Sequence, residues 1–118
     1  MNDDVALSEE RLERFADKDL AQEFAAFLAL FSNSMRLRLL CRLVCGGRAS
    51  VNELAEWAGE PQPSISRQMK TLWMARIVER EKVGARAFYS VSDPAVIEMM
   101  KFMSAIAPRV TMPPGWSG

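Results

Sequence analysis

Residues 61–74, Pro61-Gln62-Pro63-Ser64-Ile65-Ser66-Arg67-Gln68-Met69-Lys70-Thr71-Leu72-Trp73-Met74, set apolar side chains at one helical spacing and polar ones between them. Ile65, Met69 and Leu72 stand at i, i+4 and i+7 and so share a face. At about 100° per residue, Pro63, Ser64, Arg67, Lys70 and Thr71 fall on the opposite side. Pro63 suits the first helical position, where an N–H would have no intrahelical partner. The spacing predicts a helix over 63–74. Small hydroxyls at its start allow close approach to a surface, and a cation reaches out from the later turns. A helix lying in a DNA major groove needs that composition.

The residues on either side supply a setting. Ser50-Val51-Asn52-Glu53 is a capping box, a serine followed three residues later by glutamate. It opens a short helix through Ala58, which Gly59 closes, and Glu60-Pro61-Gln62 forms the turn. Residues 51–74 therefore read as helix, tight turn, helix. Upstream, 34–45 reads as a helix with Leu37, Leu40, Cys41 and Val44 on one face, ended by Gly46-Gly47. Residues 8–31 read as another, with Ser8 as a cap and an apolar stripe of Leu20, Phe24, Phe27, Leu28 and Phe31. Downstream, 77–82 and 86–91 read as strands of a hairpin around Gly84, with Arg80, Lys82 and Arg86 near its tip. Asp93-Pro94 caps a last helix, 94–107, and Pro108 stops it. The predicted order is α-α-α-α-β-β-α, mainly helical with one small β-hairpin: a helix-turn-helix followed by a basic wing.

Size and composition narrow the function. The chain has 118 residues, 49% of them apolar, which suits one domain with an ordinary core and opposes wholesale disorder. No apolar run is long enough to span a membrane, and the acidic N-terminus lacks a signal-peptide pattern, so a cytoplasmic protein is expected. Net charge is zero, yet its distribution is uneven. Residues 1–31 hold eight acids and three bases, residues 36–48 four arginines and no acid, and residues 62–86 six bases and two acids. A basic stripe inside a neutral protein is an electrostatic footprint for a polyanion. With no histidine there is no Ser-His or Cys-His pair, and no phosphate-binding glycine loop is present, so an enzyme is not expected.

Four segments taken together resemble the ArsR/SmtB-type winged-helix transcription repressors of bacteria. They are Ser34-Met35-Arg36-Leu37-Arg38-Leu39-Leu40, Val51-Asn52-Glu53-Leu54-Ala55, Gln62 through Leu72, and Ala87-Phe88-Tyr89-Ser90-Val91, within a resemblance covering about residues 20–107. The resemblance implies a homodimer, paired mainly through its first and last helices, on a palindromic operator of double-stranded DNA. The last helix supports a dimer independently. Val96, Ile97, Met99, Met100, Phe102, Met103 and Ile106 are too many apolar positions for one buried stripe. Residues 8–107 are then a winged-helix DNA-binding and dimerisation domain, with 1–7 a flexible N-terminus and 108–118 a flexible tail.

Arg67 is the foremost candidate for reading a guanine edge, because its planar fork matches two acceptors. Ser64, Ser66 and Gln68 are expected to meet bases or phosphates, Gln62 a phosphate at the helix start, and Lys70 the backbone. Arg80, Lys82 and Arg86 on the wing are expected to meet phosphates or the minor groove. Arg36, Arg38, Arg42 and Arg48 form another basic set, assigned first to structural pairing with the acidic first helix or with Glu53, Glu56 and Glu60; steering of DNA or contact with flanking phosphates is the alternative.

The switch is less legible than the reading helix. The family's zinc site on the last helix uses Asp and His, and its arsenic and cadmium site uses cysteines at the start of the third helix; neither can be built here, so no metal or cofactor is assigned. Cys41 matches a position of the family's redox- and persulfide-sensing branch, but Pro108 stands where that branch places its second cysteine. Cys41 is expected as a small buried core residue and Cys45 as the more exposed of the two. The pair stays open as a redox or effector site, and soft-metal capture by it also stays open. Two alternatives remain: a winged-helix module that binds protein, and a DNA-binding regulator with no small-molecule effector.

Overall fold

The computed structural model describes residues 9–106. Ser8, residues 1–7, the end of the last helix at 107, Pro108 and the 108–118 tail lie outside the described residues. The chain divides into two compact units, Met1–Ser32 and Asn33–Gly118.

In the first unit, α1 (Glu9–Leu12) runs into a 3-10 turn at Glu13–Ala16, and α2 spans Lys18–Ala29. The single helix expected over 8–31 is thus broken at Asp17. That residue is extended, and its side chain accepts the Asp19 N–H at 3.1 Å, capping α2. An aspartate bonding to the backbone two residues on favours a helix start over a helix interior. Phe15, Phe24, Phe27 and Phe31 form a ladder of rings with centroids 5.0, 5.6 and 5.3 Å apart. Of the expected stripe, Phe31 is buried, whereas Phe24 and Leu28 are exposed.

In the second unit, α3 covers Ser34–Gly46, β1 Ala49–Ser50, α4 Val51–Ala58, α5 Gln62–Met74, β2 Glu79–Val83, β3 Arg86–Ser90 and α6 Pro94–Ile106. Asn33 caps α3 by accepting the Arg36 N–H, and Gly47 closes it at φ 83. The capping box of α4 is complete: Glu53 N–H donates to Ser50 Oγ at 3.2 Å, and Ser50 N–H to Glu53 Oε1 at 2.8 Å. Gly59 adopts the left-handed conformation that ends α4 and turns the chain into α5.

The core gathers Leu39, Leu40, Leu43, Leu54, Ile65, Met69 and Leu72, each at most 2% exposed. The expected face of α3 is corrected by this. Leu39, Leu40 and Leu43 point inward, while Leu37 and Cys41 are exposed. Apolar residues surround α3 on two sides, so periodicity alone does not choose; packing against α4, α5 and β3 does.

The hairpin belongs to a three-stranded antiparallel sheet of order β1-β3-β2. The added strand, Ala49–Ser50, pairs Ala49 with Tyr89 and Ser50 with Phe88. The expected first strand starts two residues late, because Ile77 and Val78 are spent in the core as the chain leaves α5. None of the described helices is long and apolar enough to cross a membrane.

Candidate nucleic-acid interface

Helix α5 sorts its residues by side. Ile65, Met69 and Leu72 are fully buried, which fixes the rotation of the helix about its axis. Gln62, Ser66, Arg67 and Lys70 are exposed, and Ser64 and Gln68 are half-buried at the edges of that exposed face. Pro61 occupies the N-cap and Pro63 the second helical position, one residue later than expected. No side chain caps this end. Thr71 turns its hydroxyl back to the Arg67 carbonyl at 3.2 Å.

Gln68 has a partner within the chain. Arg36 Nη1 of α3 donates to its Oε1 at 2.9 Å, tying the middle of α5 to the start of α3. The other arginines of that set also have structural partners, though mostly not the acids expected. Arg38 lies over the Trp57 ring at 5.4 Å and donates to the Ala58 carbonyl at 3.4 Å. Arg42 donates to the Gly47 carbonyl at 3.2 Å. Arg48 pairs with Glu81 at 2.6 Å and lies 4.6 Å from the Phe88 centroid.

The wing cations divide between two faces of the sheet. Residues directly opposite in an antiparallel pair share a face. Arg80 is opposite Tyr89 and Lys82 opposite Ala87, whereas Arg86 is opposite Val83 and Glu81 opposite Phe88. Arg80 and Lys82 therefore share the side of the buried Tyr89, and Arg80 stacks on Trp73 at the end of α5, 5.0 Å from its centroid. Arg86 lies on the other side, donates to Ser50 Oγ at 3.1 Å and stacks on Phe88 at 5.0 Å. Of the cationic candidates, Arg67, Lys70 and Lys82 extend from exposed positions; Arg80 is exposed but held by Trp73, and Arg86 by Ser50 and Phe88.

Two contacts were not singled out from the sequence, Arg80 on Trp73 and Arg36 on Gln68. Trp73 carried a signal, an aromatic beside a cationic strand. Arg36 as the holder of Gln68 carried none, because the two are 32 residues apart.

The chain is similar in sequence and fold to known proteins. The biofilm growth-associated repressor of Xylella fastidiosa is 33% identical over 86 residues, covering 73% of this chain and 75% of that protein. The crystal structure of the transcriptional repressor BigR from Xylella fastidiosa superposes with a TM-score of 0.71 at 30% identity, over 85% of this chain and 96% of that one. This chain belongs to the ArsR/SmtB family of winged-helix transcriptional repressors. The regulator KmtR of Mycobacterium tuberculosis is 34% identical over 71 residues, 60% of this chain, and the match spans about half, 54%, of KmtR's own length. No family model matches the chain.

This repressor, a DNA-binding protein by its relatives, departs from the family's metal chemistry. Helix α6 holds a single acid, Glu98, already 3.4 Å from Lys101 Nζ, and the chain has no histidine. The Asp and His ligands of the family's zinc site are missing, so that ion does not fit. The cysteines differ from expectation as well. Cys41 and Cys45 are both exposed, and Cys41 is not a core residue. They line a cleft of about 340 Å³ between α3 and α6. Partial desolvation, then the adjacent Cys45 thiol, push the Cys41 thiol above its ordinary value.

Proposed function

We propose that this repressor acts in the cytoplasm as a homodimer on a palindromic operator, with α5 of each protomer in a major groove and the Arg80–Lys82 side of the wing along the flanking backbone. The observation that carries the reading is the two-sidedness of α5. Complete burial of Ile65, Met69 and Leu72 leaves Arg67 and Lys70 aimed away from the core, on a helix whose apolar anchors prevent it from rolling. Arg67 reads a guanine, Ser64 and Ser66 approach bases or phosphates, Gln62 meets a phosphate at the helix start, and Lys70 and Lys82 bind backbone. Gln68 acts chiefly by holding α5 to Arg36. Arg86 acts chiefly by anchoring the wing to Ser50, whose Oγ accepts from its guanidinium at 3.1 Å.

The dimer is supported by apolar surface left uncovered in the single chain: Phe102 on α6, and Leu12, Phe15, Phe24 and Leu28 in the first unit. The test is binding to the DNA upstream of its own coding region, measured against a scrambled duplex over a range of salt. Specific binding is expected to exceed the scrambled control by about 10³ or more and to weaken steeply as salt rises. Equal affinity for both duplexes, or salt-independent binding, refutes the reading.

A further inference from the structure

Among the described residues, four arginines lie over aromatic rings: Arg38 on Trp57, Arg48 and Arg86 on Phe88, and Arg80 on Trp73. Three of them also donate to an acceptor within the chain, Arg38 to the Ala58 carbonyl, Arg48 to Glu81 and Arg86 to Ser50 Oγ. Arg80 differs. Among the described residues it has the ring and no acceptor, so its N–H groups stay available while the ring holds it.

The ring belongs to the reading helix. Ser66, Lys70 and Trp73 stand at i, i+4 and i+7 of α5, and all three are exposed, so Trp73 ends the stripe that carries Ser66 and Lys70. The connection from α5 to β2 is short and anchored. Arg76 at φ 64 turns the chain out of the helix, and Ile77 and Val78 are buried immediately after it. Strand alternation then sends Arg80 and Lys82 to one side of the hairpin and Glu79 and Glu81 to the other. Arg80 thereby joins the polar stripe of α5 to Lys82 of the wing.

An arginine can bind in two separate ways. Its face stacks on a ring, and its edge donates in the plane to phosphate oxygens. Using the face leaves the edge open. A free arginine loses rotamer freedom when it grips a phosphate, and one already held loses less. We propose that Trp73 is a positioning residue for DNA binding: its indole holds the Arg80 guanidinium by the face, so that the edge meets a backbone phosphate beside the groove that α5 enters. This rests on the placement of the Arg80–Lys82 side of the wing along the DNA. The consequence is coupling. Helix and wing are ordered as one unit before DNA arrives, and loss of the ring matters only while Arg80 is present.

The test uses the full-length chain on the duplex upstream of its own coding region, at several salt concentrations. Arg80→Ala should weaken binding and flatten the salt slope by about one unit. Trp73→Leu keeps apolar bulk and removes the ring, and should weaken binding about three- to tenfold. Trp73→Phe keeps a ring face and should stay within about twofold of the parent. In an Arg80→Ala background, Trp73→Leu should have no further effect. Thermal unfolding of each variant separates this from a purely structural role, which would shift the melting temperature and act equally in both backgrounds. Parental affinity in Trp73→Leu, equal losses with and without Arg80, or a Trp73→Phe variant as weak as Trp73→Leu overturns the positioning and leaves the wing contact standing. Parental affinity and salt slope in Arg80→Ala overturn the contact, and the positioning with it. Failure of the parent chain to prefer this duplex over a scrambled one removes instead the reading of α5 on which both depend.

Discussion

Arg67 and Gln68 are neighbours on α5 and have different surroundings. Arg67 is exposed, whereas Gln68 is half-buried with Arg36 on its carbonyl oxygen. Arg67→Ala is therefore expected to lower operator affinity by about 1–3 kcal/mol and to relax the preference at one base pair, with unfolding unchanged. Competition between operator variants reads both effects. Glu53 offers a residue-scale test of stability. The Ser50 N–H, then the Ser50 hydroxyl and the charges of Arg86 and Arg42, hold its carboxyl below the ordinary glutamate value. A group whose folded pKa is lowered stabilises the fold above its unfolded pKa, and that contribution disappears as pH falls through the folded value. Glu53→Gln should therefore lower the melting temperature at neutral pH and converge with the parent in acid. Parallel curves across the acid range would contradict the assignment.

The ends of elements hold the next set of consequences. Helix α5 closes with Arg76 at φ 64, the left-handed region, with Arg76 N–H bonded to Trp73 O at 3.0 Å and Ile77 N–H to Leu72 O at 2.9 Å. This is a Schellman end with arginine where glycine is usual. The left-handed conformation costs a non-glycine residue about 1–2 kcal/mol, and glycine gives back about 0.4–1 kcal/mol through the unfolded chain. The difference favours Arg76→Gly by roughly 0.5–1 kcal/mol, measurable by urea unfolding. On the wing, the split between faces separates two kinds of cation. Lys82→Ala should flatten the salt dependence of DNA binding by about one unit and leave stability alone. Arg86→Ala should cost about 1 kcal/mol of stability, because it removes the bond to Ser50 and the stacking on Phe88. A full-size loss of salt slope in Arg86→Ala would place it on the DNA instead.

At the scale of the molecule, the exposed apolar surface calls for a second copy. Phe102 is 66% exposed on a helix that buries only Val96 fully. Phe102→Asp removes nothing from the core, so the single chain is expected to stay folded within about 0.5 kcal/mol. A charge on the proposed dimer face, however, would be costly once the second copy covers it. The variant should sediment as a monomer and lose affinity for a palindrome more than for a half-site. A Phe102→Asp protein that remains dimeric would move the interface elsewhere.

What could be read from the residues alone was local. The capping box at Ser50 and Glu53, the glycine that ends α4, the buried edge of α5 and the Asp93 cap of α6 all rest on contacts within a few residues or on one helical period. Such features follow from chain geometry, whatever the rest of the molecule does. The break at Asp17 was legible in principle, since it too is a local cap, but the apolar stripe over 20–31 masked it. The remaining decisions needed the tertiary structure. Helix α3 has apolar residues on two sides, and only packing selected Leu39 and Leu43 over Leu37 and Cys41. The two-residue strand Ala49–Ser50 exists only because β3 lies beside it. The Arg36–Gln68 bond, the division of the wing cations and the cleft lined by Cys41, Cys45 and Met100 each join residues far apart in the chain. The reading helix was therefore legible because one helical period orders it, whereas the cleft between α3 and α6 was not, because its walls come from two helices that only folding brings together.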